Sequence, residues 1–419
     1  MSRDLSVYLY DKFAGTLTQN DNGNLSFLYD QDYLASQDAH QISISMPLME
    51  APFPDNIARP FFSGLLPEER ARRSLASYLG ISAENAFGLL EAIGGECAGA
   101  LSFYPKGVEP PLPNEEDVEV LDDARLIRIL KLLHTRPLMA GEEGIRLSLA
   151  GVQDKLAVCL VDNKLALAKD GALTTHILKP IIGTLTGTVE NEVFCMTLAK
   201  RMKLEAPKAE IRYAEGQPYY LVERYDRTHT KEGRLVRLHQ EDFCQALSVP
   251  PELKYEDEGG PGVQTSLSLL QRHSSQPALD RLTFIRLLIF NYLIGNADAH
   301  AKNYAFLYKY ANAPRLAPAY DMLCTAIYSR LTKKLAMKIG NRDIPDTIHL
   351  KQWNTLVPET KAAQRLLSHD LKEMAGHILE ESASLLDEFS ANSIKITLLE
   401  PIRDVIKTRA RHVLNFWDS

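Results

Sequence analysis

The order in which the hydrophobic pattern changes along the chain constrains the fold most. Apolar and polar residues alternate over residues 5–50, which predicts two or three antiparallel strands with a turn at Asn20–Gly23. Further strands are predicted at 145–149, 155–161, 175–179 and 219–225, with a hairpin at 226–238. One helix, from about Glu190 to Lys203, falls among these strands, and after Glu241 the pattern is helical apart from short strands at 303–308 and 315–318. The chain is therefore predicted to be α+β, with a sheet-rich N-terminal part and a helical C-terminal lobe.

Composition shifts predict four segments. Residues 1–105 form a small β-rich domain with a helix at 67–79 and a Gly-rich turn at 94–99. Residues 106–122 form a linker, because the segment 105–123 concentrates prolines and acidic side chains, namely Pro105, Pro110, Pro111, Pro113, Glu115, Glu116 and Asp117. Such a segment is expected to stay extended and unpacked. Residues 123–240 then form a small lobe, and residues 241–419 form the helical lobe.

The composition indicates a globular protein of the cytoplasm. The 47 Lys+Arg and 54 Asp+Glu give a formal charge of −7, which argues against a protein that coats nucleic acid through its overall charge. The five cysteines are scattered, as free thiols in a reducing compartment are. The first residues lack the pattern of a signal peptide. The apolar run Leu282–Ile294 is too short for a membrane span, so we expect a buried helix there.

The strongest candidate for chemistry is the hexapeptide Asp298–Asn303, DAHAKN, which follows the apolar helix. Its carboxylate, cation and amide suit phosphoryl transfer, in which a protein accepts a hydroxyl proton, offsets charge on the moving phosphoryl group and holds a divalent ion. On this interpretation Asp298 is the base, Lys302 neutralises charge and Asn303 binds the metal. A helix end followed by a solvated polar loop is the structural alternative.

Asp321, in the segment Pro318–Met322, supplies a second acidic side chain. It lies across a predicted β-hairpin from Asn303, and that hairpin would return its carboxylate to the same magnesium ion. Taken alone, a buried Tyr-Asp turn is an ordinary structural feature. Together with the hexapeptide it strengthens the prediction of a metal site.

The segment Ser148–Lys155, SLAGVQDK, is the candidate phosphate-binding loop. It joins two predicted strands, and the small residues Ala150 and Gly151 allow backbone N–H groups to approach an anion closely. Its single glycine does not match a Walker A motif. By itself, the segment is better explained as a tight β-turn.

Lys179, at the end of the strand Thr175–Lys179, could contact ATP phosphates or extend to the surface. Protein kinases pair a strand lysine with a helix glutamate, and Glu190 and Glu192 both begin the next predicted helix. We favour Glu192, although the helix dipole also attracts glutamates to this position. The strand end Val222–Arg227 could hydrogen-bond an adenine edge through its main chain.

These motifs together resemble the HipA family, the serine/threonine kinase toxins of bacterial HipAB toxin–antitoxin modules. The segments Phe62–Glu68 and Ile93–Ala100 resemble the N-terminal HipA subdomain. The segments that resemble the kinase core are Ser148–Lys155, Thr175–Lys179, Val222–Arg227, Tyr255–Gly262, Asp298–Asn303 and Tyr320–Asp321. The resemblance covers nearly the whole chain and implies a two-lobed protein-kinase-like fold that uses ATP and Mg²⁺.

The resemblance also implies a role for each motif. Asp298 matches the catalytic base, Asn303 and Asp321 match the magnesium ligands, and Lys179 matches the lysine that contacts the ATP phosphates. The other implied ATP-binding residues are Ala150, Gly151, Val152, Gln153, Asp154, Lys155, Glu223, Arg224, Tyr225, His300, Asn303 and Tyr320.

Regulation, substrate and partners are implied in the same way. Ser148 matches a serine whose autophosphorylation turns the kinase off, since a phosphate adds about −1.5 to −2 charges and would compete with ATP for the same cationic loop. Family members are implied to phosphorylate an aminoacyl-tRNA synthetase, typically the glutamyl enzyme, which halts translation and produces dormant, drug-tolerant cells. The small helix-turn-helix antitoxin HipB holds them, and the complex represses its own operon at operator DNA.

Two departures and two alternatives complete the prediction. Ala297 and Ala299 flank the base where relatives often carry a hydroxyl residue and a glycine, which bears on substrate choice more than on activity. A basic run after Asp321 could meet substrate or DNA or be a solvated face; it comprises Arg330, Lys333, Lys334 and Lys338. The alternatives are a small-molecule phosphotransferase of the aminoglycoside-kinase type and a pseudokinase co-repressor, which usually lacks one of the residues matched by Lys179, Asp298, Asn303 and Asp321.

Overall fold

The computed structural model describes residues 2–112, 114, 116–309, 313–392, 394 and 396–417. Pro113 and Glu115, which contribute to the predicted linker, lie outside these residues. The chain forms two compact units. The sheet-rich unit comprises the chain up to Pro180, Arg212–Glu252 and Ala305–Arg315; the helical unit comprises Ile181–Ile211, Leu253–Tyr304 and the chain from Leu316 onward.

The strands of the described residues are β1 (Arg3–Leu9), β2 (Lys12–Gln19), β3 (Leu25–Tyr29), β4 (Leu101–Pro105), β5 (Val118–Val120), β6 (Leu156–Val161), β7 (Lys164–Ala168), β8 (His176–Lys179), β9 (Ala209–Ala214), β10 (Gln217–Glu223), β11 (Arg227–His229), β12 (Leu235–Arg237), β13 (His239–Asp242), β14 (Ala305–Tyr308) and β15 (Arg315–Leu316). The α-helices in the same residues are α1 (Gln31–Ala35), α2 (Asp55–Ser63), α3 (Glu69–Leu79), α4 (Ala86–Ile93), α5 (Asp123–Leu132), α6 (Thr188–Arg201), α7 (Phe243–Ala246), α8 (Val263–His273), α9 (Pro277–Ile294), α10 (Leu350–Trp353), α11 (Lys361–Ala391) and α12 (Glu400–Leu414).

The first sheet is antiparallel with strand order β3-β2-β1-β4, which confirms the strands predicted from the alternating pattern. Its predicted turn closes where the Gly23 N–H donates to the Asn20 carbonyl at 2.9 Å. Gly23 has a φ of 81°, a conformation that glycine adopts without steric cost. Side chains of the strands and of α2 and α4, including Phe27, Phe62 and Leu90, are buried in one apolar core.

The six-stranded sheet, with order β5-β7-β6-β8-β10-β9, positions the candidate nucleotide-binding segments. Leu156 in β6 pairs with Leu178 in β8, and Tyr220 in β10 pairs with Lys179. Since β6 and β8 are antiparallel, the residues that precede Leu156 lie at the same end of the sheet as Lys179. The strands predicted at 155–161, 175–179 and 219–225 are confirmed.

Two local predictions are wrong. The segment predicted as an unpacked linker contains β5, in which Val118 pairs with Ala168 of β7, because its valines suit a strand beside another apolar strand. The strand predicted at 145–149 is absent among these described residues, and Leu147 makes only an isolated parallel bridge to Glu96. The domain boundaries themselves stay predictions.

The predicted hairpin at 226–238 is confirmed by the antiparallel pairing of β11 with β12. The short strands β14 and β15 interrupt the helical C-terminal part, as the pattern indicates. The pattern did not predict that β14 also pairs with β13, with His239 opposite Tyr308. These two strands are far apart in the chain, so their pairing leaves no local signal in the sequence.

The helical unit is built around α9, which carries the apolar run Leu282–Ile294 and is buried along most of that run. Its Arg286 forms a bidentate ion pair with Asp370 of α11, with N–O distances of 3.0 and 3.2 Å. In α6, Phe194 and Leu198 are fully buried. A search of the described helices found none that combines the length and the apolar character needed to cross a membrane.

Candidate active site

The helix that leads into the candidate catalytic loop ends where its sequence indicates. α9 stops at Ile294, and Gly295 caps it in the left-handed conformation with a φ of 74°. A Cβ atom on Gly295 would lie 2.6 Å from Cγ1 of Val405 and 3.3 Å from Sγ of Cys324. Both the backbone conformation and the packing therefore require glycine at this position.

Polar side chains then fix the backbone before the candidate base. The Asn296 side chain donates to Oδ1 of Asn291 at 2.9 Å and accepts from the Asp298 N–H at 3.1 Å. The Ala297 N–H donates to Oγ1 of Thr325 at 2.7 Å. Asn296 is buried, so these bonds are shielded from water and hold the loop in one conformation.

The candidate base and the candidate metal ligand are joined within one loop. The Asn303 side chain donates from Nδ2 to the Asp298 carbonyl at 3.0 Å, and the His300 N–H donates to the same carbonyl at 2.8 Å. The Tyr255 hydroxyl donates to Oδ1 of the Asp298 carboxylate at 2.6 Å. Tyr255 also packs edge-on against His300, with ring centroids 5.2 Å apart. The loop therefore holds the carboxylate and the amide in a fixed relation.

The second candidate metal ligand follows a residue that contacts this loop. The Tyr320 hydroxyl donates to the carbonyl of the buried Lys302 at 2.7 Å, so the segment with Asp321 returns to the hexapeptide. Asp321 has a φ of 57°, which is uncommon outside glycine and often marks a functional constraint. That Asp298 and Asp321 serve one ion stays a prediction.

The helix with the two candidate glutamates is fixed to the segment that follows Asp321. Asn191, fully buried in α6, accepts from the Cys324 N–H at 2.8 Å and donates to the Cys324 carbonyl at 2.9 Å. Its neighbour Glu192 is also buried, whereas Glu190 is half-buried. Burial singles out Glu192 as the glutamate that needs a cationic partner.

The candidate nucleotide loop is held by residues far from it in sequence. Ser148 is fully buried, and its hydroxyl donates to the Leu65 carbonyl at 2.8 Å. The Ser148 N–H donates to the Glu96 carbonyl at 2.8 Å, and the Glu68 N–H donates to the Gly151 carbonyl at 3.0 Å. The loop is thus attached to both N-terminal motifs identified in the sequence.

Within the loop, Gly151 is required by its own conformation. It has a φ of 113°, and a Cβ atom there would collide with Nζ of Lys155. That amine donates to the Ala150 carbonyl at 2.6 Å and closes the loop on itself. At the far end, Gln153 donates from Nε2 to the Pro180 carbonyl at 3.2 Å, which brings the loop beside the strand end that carries Lys179.

The remaining loop residues differ in exposure. Val152 is exposed. Asp154 is buried, and its carboxylate contacts Arg70 and His134. The Asp154 carboxylate is therefore held by two other side chains of the protein.

Lys179 is buried rather than extended to the surface. Its exposure is 6%, and its Nζ lies 5.2 Å from the ring centroid of Tyr220, its neighbour on β10. A cation over an aromatic face gains electrostatic stabilisation, and here it remains close to the candidate nucleotide loop. The surface alternative for this lysine is wrong, and the phosphate-contact role stays a prediction.

The candidate adenine-binding segment Glu223–Tyr225, called the hinge below, lies at the other end of the β8–β10 pair. Glu223 pairs with His176, and the Arg224 N–H donates to the Thr175 carbonyl at 2.9 Å. The Glu223 side chain is exposed, while the Tyr225 hydroxyl bonds the side chain of Gln240. The backbone of the hinge is therefore anchored on its N-terminal side.

A buried ion cluster supports this hinge. Arg224 forms two bonds to Asp226, at 2.9 and 2.8 Å, and reaches Glu96 at 3.3 Å. Burial alone would raise the pKa of Asp226, but the guanidinium groups of Arg224 and Arg227 outweigh it and hold that pKa well below its ordinary value. Removal of one partner would leave an uncompensated buried charge.

Sequence reasoning missed several residues of the site. Tyr255 was noticed only within its motif, and its contact with Asp298 was not predicted. Asn296 offered a signal, because an asparagine two residues before the base is typical of a side-chain-to-backbone turn. Asn191 and Glu96 gave no local signal, since their partners are distant in sequence.

In the basic run after Asp321, Lys334 lies 3.5 Å from Asp343 and Lys338 pairs with Asp257. These ion pairs favour a solvated face, rather than a contact with substrate or DNA, for these two lysines.

The side chains in the helical unit fit a magnesium ion bound with ATP. Carboxylate and amide oxygens are the ligand types that Mg²⁺ prefers, and Asp298 and Asn303 are fixed in one loop by their own hydrogen bond. In the sheet-rich unit, a glycine-containing loop beside a buried lysine fits the phosphates. Lys179 and Glu192 fall in different units, and their ion pair stays a prediction.

Family models match both parts of the chain. Residues 147–385 match the HipA-like C-terminal domain, and residues 5–104 match the HipA N-terminal domain. Among curated proteins, the chain is 42% identical to "Putative kinase Y4mE" of Sinorhizobium fredii over 98% of both chains. It is 29% identical to "Serine/threonine-protein kinase toxin HipA" of Shewanella oneidensis, over 91% of this chain and 89% of that protein.

A solved structure agrees with these matches. The HipA chain in the Shewanella oneidensis complex of HipA, HipB and operator DNA superposes with a TM-score of 0.83 at 27% identity, over 99% of both chains. The fold is thus mixed α+β and kinase-like, as the sequence predicted. The motifs, the loop geometry and these similarities lead to one conclusion: the chain belongs to the HipA family and is a kinase of that family.

Proposed function

We propose that the protein is an ATP- and Mg²⁺-dependent protein serine/threonine kinase and the toxin of a toxin–antitoxin module. The observation that carries the proposal is the loop in which the Asn303 amide bonds the Asp298 carbonyl while Tyr255 holds the Asp298 carboxylate. A loop of this kind fixes a proton acceptor and a metal-ligand amide before substrate arrives, which is the main protein contribution to phosphoryl transfer.

Asp298 would accept the proton of the substrate hydroxyl as that oxygen attacks the γ-phosphorus of ATP and ADP leaves. Lys302 would offset negative charge on the transferred group. Asn303 and Asp321 would hold Mg²⁺, which neutralises phosphate charge when it is bound. Tyr255 keeps the carboxylate oriented through its hydroxyl, and it would leave the second oxygen for the substrate.

The sheet-rich unit would supply most nucleotide contacts. Backbone N–H groups of Ala150–Lys155 and the amine of Lys179 would bind the phosphates, and the main chain of Glu223–Tyr225 would bind the adenine. His300 and Tyr320 would add contacts from the helical unit. Glu192 would pair with Lys179, as a helix glutamate does in protein kinases.

Ser148 would be the site of inactivating autophosphorylation. Its hydroxyl is buried against the Leu65 carbonyl, so the loop must leave this position before a phosphate can be added. The added charge of about −1.5 to −2 could not return to a buried site without a cationic partner. Phosphorylation would therefore keep the loop out and abolish ATP binding.

The substrate would be a translation component, an aminoacyl-tRNA synthetase of the glutamyl type. The antitoxin would be a HipB-like helix-turn-helix protein that binds operator DNA. The support is the family and the similarity to a HipA structure solved with HipB and operator DNA.

All five cysteines are buried and free, which agrees with a cytoplasmic location.

The test is incubation of the protein with labelled ATP, Mg²⁺ and cell lysate. A labelled protein band supports a protein kinase, whereas a labelled metabolite without a labelled protein would indicate a small-molecule phosphotransferase. Asp298→Asn should abolish the band and retain ATP binding. Binding of ATP by the unaltered protein without transfer to any acceptor would indicate a pseudokinase.

A further inference from the structure

We propose that Arg70 and His134 position the candidate nucleotide loop by holding the carboxylate of Asp154. They are positioning residues for ATP binding, because they act through Asp154. The proposal rests on the proposed function for its effect on ATP, but its structural part can be tested without nucleotide. Arg70 lies on α3, and His134 follows α5.

The contacts converge on one oxygen atom. Nη2 of Arg70 and Nδ1 of His134 each lie 2.5 Å from Oδ2 of Asp154. The Asp154 side chain is only 2% exposed, and its Oδ1 is buried without a hydrogen-bond partner among the described residues. The charge of this carboxylate therefore depends on the two side chains at Oδ2.

A buried carboxylate without a compensating cation is costly. Asp154 is the next-to-last residue of a loop that also contacts the N-terminal part through Ser148 and Gly151. If the side chains of Arg70 or His134 are removed, the Asp154 carboxylate regains hydrogen-bond partners most easily when its end of the loop moves outward to water. The same movement would displace the N–H groups that are proposed to bind phosphates.

Arg70 and His134 are not core residues. Their side chains are 53% and 44% exposed, in contrast to that of Asp154. Their replacement by alanine therefore removes the contact without opening a cavity in the apolar core. This makes a direct test possible, since the variants should remain folded.

The experiment compares Arg70→Ala, His134→Ala and Asp154→Asn with the unaltered protein. Exposed neighbours on the same helices, Arg73 and Lys131, provide the controls Arg73→Ala and Lys131→Ala. Hydrogen exchange without nucleotide should be about three- to tenfold faster at the amides of 148–155 in Arg70→Ala and His134→Ala, and unchanged at 298–303. The KM for ATP should rise about three- to tenfold with kcat within about twofold.

The double variant separates positioning from general destabilisation. Because Asp154→Asn already removes the charge, the addition of Arg70→Ala should change neither the exchange rate nor the KM for ATP further. The proposal is overturned if the single variants match the controls, or if kcat falls while KM is unchanged. If the unaltered protein transfers no phosphate, the proposed function fails, and the exchange rates still decide whether Arg70 and His134 hold the loop.

Discussion

The two loops proposed to serve catalysis are held in different ways. The loop Asp298–Asn303 is stabilised by near neighbours, Asn296 and Asn303, and by Tyr255 and Tyr320 of the same helical unit. The loop Ser148–Lys155 depends on Leu65, Glu68 and other residues of the N-terminal part. Changes in the N-terminal part should therefore affect the second loop before the first.

This difference suggests why the N-terminal part is present in such a kinase. Its motif at Phe62–Glu68 supplies the carbonyl that accepts from Ser148 and the N–H that donates to Gly151. Its Gly-rich turn supplies Glu96, which contacts both the loop and the hinge cluster. Whatever disturbs the N-terminal part is expected to alter nucleotide binding before it alters the catalytic loop.

Asp321→Asn gives the largest expected effect and tests the proposed metal site in the helical unit. Asparagine tolerates the left-handed backbone that Asp321 adopts, so the variant removes a charge and keeps the turn. We expect phosphoryl transfer to fall about 10²–10³-fold and to need higher Mg²⁺. Activity measured over a Mg²⁺ titration checks this, with the exposed Asp387→Asn as control. Unchanged activity would rule out a role of Asp321 in metal binding.

Glu241 tests how strongly distant contacts determine the stability of the sheet-rich unit. Its buried carboxylate accepts from the Ser43 hydroxyl and the Tyr308 hydroxyl, each at 2.5 Å, and from the Ile44 N–H at 2.9 Å. Burial raises its pKa from 4.5 to about 7. Because the folded state favours the protonated acid, the stabilisation is full below pH 4.5 and is lost as the pH rises through about 7.

We therefore expect the contribution of Glu241 to the free energy of unfolding to fall by about 2–4 kcal/mol as the pH rises from below 4.5 to above 7. Glu241→Gln, which mimics the protonated acid, should remove this dependence. Denaturant unfolding at a series of pH values provides the measurement, and the exposed Glu143→Gln is the control. An equal pH dependence in Glu241→Gln and the unaltered protein would contradict the prediction.

Gly151→Ala tests the nucleotide loop directly. Alanine is strained at a φ of 113°, and its Cβ would displace the Lys155 amine from the Ala150 carbonyl. The KM for ATP should rise about tenfold, with little change in the melting temperature. Gly183→Ala is the matched control, because it has open space and an ordinary φ. An unaltered KM would show that the loop conformation is not needed for ATP binding.

Tyr255→Phe should give the smallest effect and sharpens the account of the catalytic loop. The variant removes the hydroxyl that donates to Asp298 at 2.6 Å and keeps the ring beside His300. A single hydrogen bond of this kind contributes about 1 kcal/mol, so kcat should fall about three- to tenfold while the KM for ATP stays constant. Steady-state kinetics measure both, with the exposed Tyr213→Phe for comparison. A change in KM alone would mean that Tyr255 acts on nucleotide binding.

Features that depend on residues close together in sequence were predicted correctly, whereas features that depend on distant partners were not. The candidate catalytic loop was noticed because Asp298, Lys302 and Asn303 are close in sequence and follow a helix whose end is encoded by Gly295. Strands β6, β8 and β10 were predicted because short runs of apolar residues mark them locally. The strand predicted at 145–149 failed because its backbone partner is a single residue of a turn, and β5 was missed because its partner strand comes much later in the chain.

The sequence by itself determined the kinase motifs, their order and the α+β class, because these depend on local hydrophobic period and on residue types with specific chemistry. Only the tertiary structure decided that Tyr255 holds Asp298, that Leu65 covers Ser148 and that Arg70 and His134 hold Asp154. Contacts of this kind form between segments that become neighbours only after the apolar core has packed. Their energy depends on distance and burial, which linear spacing does not encode.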